Sequence, residues 1–221
     1  MSILTQNISK SFGKPAIKVL KDINLEIKNG EFISLSGKSG SGKSTLLYIL
    51  STLDTPSTGV LTLDDKDTSK IEESDLHKFR NLKMGFVFQF HYLLPELTAL
   101  ENVLMPARKT NQELLLEEKA KTILNEFGLI DKHTKKPSQL SGGEQQRVSI
   151  ARSLIMEPEY IFADEPTGNL DSGNGKLVMD IFKKINKTRG TTVVYVTHDI
   201  EFANLAERKI YLKDGKIVNN L

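Results

Sequence analysis

The chain has no cysteine. That removes disulfides, thiolate nucleophiles and zinc-thiolate centres from its chemistry, and it agrees with a reducing compartment. Charge of one dominant sign is also missing: 30 Lys and Arg stand against 28 Asp and Glu, a net charge of +2. No global basic field therefore recruits nucleic acid, and no direct nucleic-acid partner is expected. No apolar run approaches the ~20 residues of a membrane-spanning helix, and residues 1–7 lack the basic and apolar regions of a signal peptide. Ser2 and the ending Asn219-Asn220-Leu221 carry no lipidation signal. The expectation is a chain that stays in the cytoplasm and meets a membrane only through a partner. No internal repeat, low-complexity tract or linker splits its 221 residues, and 38% hydrophobic content is enough for the core of one large domain, with room for an inserted subdomain.

What is present is a set of motifs in order. Gly37-Lys38-Ser39-Gly40-Ser41-Gly42-Lys43-Ser44-Thr45 fits the phosphate-loop pattern GxxxxGK(S/T). A random chain of this length would match its four fixed positions roughly 1% of the time, so context has to decide. The apolar Phe32-Ile33-Ser34-Leu35 precedes the loop and a helix-spaced Ser44-Thr45-Leu46-Leu47-Tyr48-Ile49-Leu50 follows, stopped by Thr55-Pro56 and Ser57-Thr58-Gly59. Strand, glycine loop, helix is the order a phosphate loop needs. Its glycines let backbone N–H groups approach phosphate oxygens at the positive end of a helix. Lys43 would reach the β/γ-phosphates, Ser44 would offer a hydroxyl to Mg²⁺, and Thr45 would steady the turn or touch a phosphate.

Tyr160-Ile161-Phe162-Ala163 reads as a buried strand ending at Asp164 and Glu165. Asp164 is placed to hold Mg²⁺ through water and Glu165 to polarise the attacking water; taken alone, Asp-Glu-Pro could equally open a loop. Ser141-Gly142-Gly143 precedes Val148, Ile150, Ala151, Leu154 and Ile155, an apolar-periodic segment with serine in capping position. Such an end binds anions, although an ordinary capped helix looks the same.

Elsewhere, alternating Ile23, Leu25 and Ile27, then Asn29-Gly30, then the 32–35 run suggest a hairpin feeding a buried strand. Met84-Gly85-Phe86-Val87-Phe88 is a further strand ending at Gln89. Over 113–127, Leu115, Leu116, Ala120, Ile123, Leu124 and Phe127 recur at helical spacing, and about 90–155 reads as a helical insertion. Strand patterns resume at 161–163, 192–196, 210–212 and 216–218, which implies a mostly parallel sheet covered by helices.

GKSGSGKST, Gln89, LSGGEQQ, YIFADEP, Gly168-Asn169-Leu170-Asp171 and Thr197-His198-Asp199 together, in this order over essentially the whole chain, resemble the nucleotide-binding domain of ABC transporters. The resemblance implies an α/β phosphate-loop ATPase of ABC type: a mostly parallel core over about 1–89 and 156–221, an N-terminal antiparallel region, and a helical subdomain over about 90–155. It implies ATP and Mg²⁺ as cofactors, with catalytic Lys43, Glu165 and His198, the last contacting the γ-phosphate and orienting water. It assigns Ser44, Gln89 and Asp164 to Mg²⁺, and Gly37, Lys38, Ser39, Gly40, Ser41, Gly42, Lys43, Ser44 and Thr45 to the phosphates. It implies a head-to-tail dimer in which Ser141, Gly142 and Gly143 of one copy close on the ATP of the other, with Asp171 in the loop that communicates across the pair. Phe12 is the candidate to stack on adenine, against the alternative of a core or strand-edge residue.

The wording QFHYLLPELTALENV at 89–103 is similar to the ATPase family of the bacterial lipoprotein-releasing system, and 163–171 also suits the wider group of MacB-type exporters and FtsE-type division ATPases. That likeness implies permease subunits docking near 89–102, a place on the cytoplasmic face of the inner membrane, and lipoprotein release as the output. The alternatives are export of peptides, drugs or haem, mechanotransmission without transport, a soluble ABC ATPase acting on DNA or the ribosome, and a regulatory module without turnover.

Overall fold

The computed structural model describes residues 2–218; Met1 and 219–221, on which part of the lipidation reading rests, lie outside the described residues. Two sheets form the frame. β1 (Ser2–Phe12), β2 (Ile17–Lys28), β4 (Thr58–Leu63) and β5 (Lys66–Asp67) make an antiparallel sheet in the order β2-β1-β4-β5. β3 (Phe32–Gly37), β6 (Met84–Phe88), β7 (Tyr160–Asp164), β8 (Thr192–Val196), β9 (Arg208–Lys213) and β10 (Lys216–Val218) make the second sheet, in the order β10-β9-β3-β8-β7-β6. All its neighbours run parallel except the β9–β10 pair.

The expected hairpin across Asn29-Gly30 does not form. β2 pairs with β1, whereas β3 leaves for the other sheet and hydrogen-bonds between β8 and β9. The apolar alternation of β2 was read correctly, but alternation specifies a face and not a neighbour.

The parallel strands β6, β7 and β8 are largely apolar because both faces are covered, whereas the flanking β9 carries Arg208, Lys209 and Lys213. Along β8, Val193 and Tyr195 point into one core while Val194 and Val196 point into the other. The first core is closed by α3 (Ala99–Arg108), α4 (Glu113–Glu126), α5 (Gly142–Leu154) and α6 (Ser172–Arg189); the second by α1 (Lys43–Leu50) and the antiparallel sheet. The remaining α-helices among the described residues are α2 (Glu73–Lys83) and α7 (Ile200–Ala203). α1 stops earlier than the sequence suggests: Ser51 caps it and Thr52 turns left-handed (φ 57°), ahead of Thr55-Pro56. In α4 the residues Ala120, Ile123 and Leu124 are buried as their spacing predicts, but Leu115 is 81% exposed, because the first turn of the helix projects beyond the core. Among the described residues no helix is long and apolar enough to cross a membrane.

Candidate functional site

Because β3, β8, β7 and β6 run parallel, their C-terminal ends share one edge, and the loops leaving that edge carry the chemistry-bearing residues. Leu35 is level with Val196, Val196 with Asp164, and Asp164 with Phe88. The residues that follow are therefore neighbours: the glycine loop after β3, His198 two residues past β8, Glu165 after β7 and Gln89 after β6. A ligand crevice outside the carboxyl ends of parallel strands is the expectation for such sheets.

In the glycine loop, Gly37 and Gly42 take backbone angles that side chains avoid (φ 144° and 101°). A Cβ on Gly37 would lie 2.2 Å from the Leu212 carbonyl oxygen, and one on Gly42 would lie 2.8 Å from Leu20 Cδ2. The turn is thus wedged between β9 and β2 and cannot carry larger residues there. Gly42 also serves as the N-terminal cap of α1 and has no side chain to satisfy the helix's first amides. Lys43 is only 7% exposed, and its Nζ donates to the carbonyls of Gly37 and Lys38 at 3.0 and 3.1 Å, folding the ammonium back over the loop. Ser41 Oγ is buried with no hydrogen-bond partner. An orphan hydroxyl, free helix amides and a lysine held by carbonyls alone make a cradle suited to phosphate oxygens. Lys38, Ser39 and Gly40 lie on its outer rim, and Thr45 lies half-buried in the first turn of α1.

Ser44 Oγ donates to Asp164 Oδ1 at 2.9 Å, which ties α1 to the end of β7. These are hard oxygen donors, and together with phosphate oxygens they fit Mg²⁺, which is usually held by one or two protein groups plus substrate. The protein alone offers no cage: among the described residues no cluster of three or more His, Cys, Asp or Glu is arranged to hold a metal. Next to Asp164, Glu165 sits in a left-handed backbone conformation (φ 47°), a strained state for a side-chain-bearing residue, and its Oε2 lies 3.3 Å from His198 Nδ1. Gln89 Nε2 donates to Asn169 Oδ1, and Asn169 Nδ2 donates back to the Gln89 carbonyl. Gly168 fills the gap between them: a Cβ there would lie 2.9 Å from Gln89 Nε2 and 3.3 Å from Glu165 Oε2. A cavity of about 690 Å³ opens beside this cluster, lined by Glu165, Gly168, Leu170, Asp171, Lys176 and His198.

Ser141 caps α5 as its sequence position suggests. Its Oγ accepts from Glu144 N, and Glu144 accepts in return from Ser141 N. The Ser141 N–H bond to its carboxylate, together with Lys132, holds the Glu144 carboxyl below its ordinary range. No hydrogen bond joins Ser141, Gly142 or Gly143 to the glycine loop of the same chain among the described residues. Gly143 instead packs on Asn174, whose side chain accepts from Arg147 and donates to Asp171. Asp171 in turn caps α6 by accepting from Asn174 N. Phe12, at the end of β1, is 46% exposed, and Lys10 Nζ sits 4.9 Å from its ring centroid.

Several neighbours of the site received no role from the motifs. Tyr48 donates to Asp164 Oδ2 at 2.8 Å, and its position four past Ser44 on a helix was the available signal. Gln146, fully buried, donates to the Pro166 carbonyl. Arg152 donates to the carbonyls of His91 and Tyr92, two consecutive left-handed residues, so the loop after Gln89 is clasped to α5. Burial pushes the His91 imidazole below its ordinary pKa. Under this loop runs a groove of about 540 Å³ lined by Arg80, Phe86, Phe88, Tyr92, Arg152 and Met156.

Known proteins share this arrangement. A family model described as ABC transporter matches residues 20–168. The lipoprotein-releasing system ATP-binding protein LolD of Leptospira interrogans is 51% identical over 217 residues, 98% of this chain and 91% of that protein. The LolD of Aquifex aeolicus is 55% identical over 205 residues, 92% of this chain and 91% of that protein. Among solved structures, the dimeric structure of MJ0796, a bacterial ABC transporter cassette, superposes with a TM-score of 0.90 at 44% identity, covering 98% of this chain and 97% of the other. A dimeric post-hydrolysis state of MJ0796 bound to ADP and Pi gives 0.88 at 43% identity, with the same coverage.

Proposed function

Because the chain belongs to the ABC transporter ATPase family, we propose that it is the ATP-hydrolysing subunit of an inner-membrane complex that releases lipoproteins from the membrane. The observation that carries the output is identity of 51–55% to LolD proteins across more than 90% of both chains. Nothing in the site itself meets a lipoprotein. The ATPase passes closure of its dimer to partners that handle the cargo, and it works from the cytoplasmic face of the inner membrane.

The family resemblance suggests the roles, and the geometry supports them. The amides of 37–45 and Lys43 hold the β- and γ-phosphates once the lysine trades the Gly37 and Lys38 carbonyls for phosphate oxygens. Ser44 and Asp164 hold Mg²⁺, which when bound neutralises charge on the phosphates. Gln89, whose amide donates to Asn169, would be a further oxygen donor to the same metal. Glu165 takes the proton of the attacking water, and His198, already in contact with that carboxylate, orients the water against the γ-phosphate. The remaining wall comes from a second copy: Ser141, Gly142 and Gly143 present a capped helix end whose free amides suit an anion, and they have no such ligand in their own chain. Asp171 lies beside them and communicates between the copies. Phe12, exposed and free on one face, stacks on adenine.

The permease docks at 89–102. Phe90 and Tyr92 are 69% and 62% exposed in this loop, and Tyr92 lines the 540 Å³ groove, the form in which an amphipathic helix is received. Affinity purification of tagged Glu165→Gln chain from its native membrane with MgATP tests the reading. Two related but different permease subunits with bound lipoprotein are expected. A single permease with an efflux adaptor, as in MacB-type export, or a division partner, as in FtsE-type mechanotransmission, would replace the output and leave the ATPase standing.

A further inference from the structure

Asp164 has two oxygens, and both are engaged by hydroxyl donors from the same face of α1. Ser44 takes Oδ1 at 2.9 Å, and Tyr48, one helical turn later, takes Oδ2 at 2.8 Å. Ser44 is part of the phosphate-loop pattern; Tyr48 is not, and packing does not explain its hydroxyl. The ring, half-buried, leans on the core beneath the antiparallel sheet, where a phenylalanine would serve as well. The hydroxyl instead leaves that core to reach the one carboxylate at the end of β7 that faces the phosphate cradle.

The geometry points to Tyr48 as a positioning residue for the Mg²⁺ site: its phenolic hydroxyl clamps Asp164 so that the carboxylate plane is fixed before metal and nucleotide arrive. This rests on the reading of Asp164 as the Mg²⁺-side carboxylate. With one oxygen pinned by Ser44 alone, the carboxylate can swing about its Cβ–Cγ bond. Pinned at both oxygens, it holds a single orientation and keeps lone pairs turned toward the metal's water shell. Partners of this kind, behind the groups that face a metal, are worth about 10–100-fold in metal affinity or activity.

Tyr48→Phe removes the hydroxyl and keeps the ring. The full-length chain and this variant are compared by titrating free Mg²⁺ at saturating ATP, reading steady-state ATPase and, in parallel, the polarisation of a fluorescent ATP analogue. The same binding is measured in EDTA, and thermal unfolding is recorded without nucleotide. Asp164→Asn is carried through the same series. The expected result for Tyr48→Phe is a free-Mg²⁺ requirement raised about tenfold in both titrations, with nucleotide affinity in EDTA and the melting temperature unchanged. A Tyr48→Phe requirement within twofold of the parent, while Asp164→Asn shifts it, overturns the clamp and leaves the Asp164 reading intact. If neither variant shifts it, both fall. A melting temperature or EDTA affinity lowered by Tyr48→Phe, with no change in the Mg²⁺ requirement, assigns the hydroxyl to structure and also overturns the proposal.

Discussion

Gly142 and Gly143 stand side by side at the start of α5 and face different surroundings. A Cβ on Gly142 would meet nothing within 4 Å, whereas one on Gly143 would lie 2.5 Å from Asn174 Oδ1. Asn174 cannot swing away freely, because Arg147 and Asp171 hold both ends of its amide. Gly143→Ala should therefore cost the free chain about 1–2 kcal/mol, the worth of one or two disturbed hydrogen bonds. Gly142→Ala should leave free-chain stability within about 0.5 kcal/mol and reveal itself only when a second copy closes on that open surface, as weakened ATP-dependent pairing. Denaturant melts of both variants, followed by sedimentation with MgATP, separate the two effects. Equal destabilisation by both would contradict this. The motif string made the two glycines legible as a pair. Their difference was not, because it depends on Asn174, thirty-one positions away by numbering (174 − 143), brought alongside by the packing of α6 on α5. Tyr48 was hidden for the same reason: it looks like one more apolar position of α1 until β7 places Asp164 beside it.

At the scale of elements, two of the helices begin with reciprocal caps. Thr98 and Glu101 close α3 as Ser141 and Glu144 close α5, each side chain serving the other's backbone amide. In both, hydrogen bonds from the capping residue hold the glutamate below its ordinary range. A depressed folded-state pKa means that this stability is fully present above the unfolded carboxylate value and is lost as pH falls through the lower folded value. Thr98→Ala should cost about 1 kcal/mol at neutral pH, a fall of about 2–4 °C in Tm for a chain of this size. That gap should narrow in acid, as the pH falls through the lowered Glu101 value. Calorimetry of parent and variant across pH checks it; a gap that widens in acid would contradict the cap. The strands and helices themselves were readable where burial imposes a pattern: the apolar runs of β6, β7 and β8 and the serine ahead of α5. Partnership was not. Asn29-Gly30 looks like a hairpin turn because the residues on both sides are strand-formers, and only competition for the slot between β8 and β9 sends β3 elsewhere. Leu115 satisfies helical spacing and still faces solvent, since spacing does not say where the core ends.

At the scale of the molecule, the fold distributes one ATPase site over two faces. The parallel sheet gathers the glycine loop, Asp164, Glu165, His198 and Gln89 along one edge. The capped end of α5 belongs to the other core cluster, among helices, and is tied through Asn174 to Asp171 rather than to the phosphate cradle. The complete set of motifs was visible in the sequence; that the described residues of one chain do not join them is a property of the packed structure, and on the proposed reading pairing is then required for turnover. Glu165→Gln removes the base and keeps the shape, so it should bind ATP while losing about 10²–10⁴-fold in rate, leaving the ATP-bound pair intact long enough to observe. Sedimentation equilibrium of the Glu165→Gln chain at saturating MgATP is the measurement to make. The account predicts a doubling of the 24.7 kDa mass that reverses in EDTA or with Lys43→Ala added; a chain that binds MgATP and stays at the mass of one copy would contradict it.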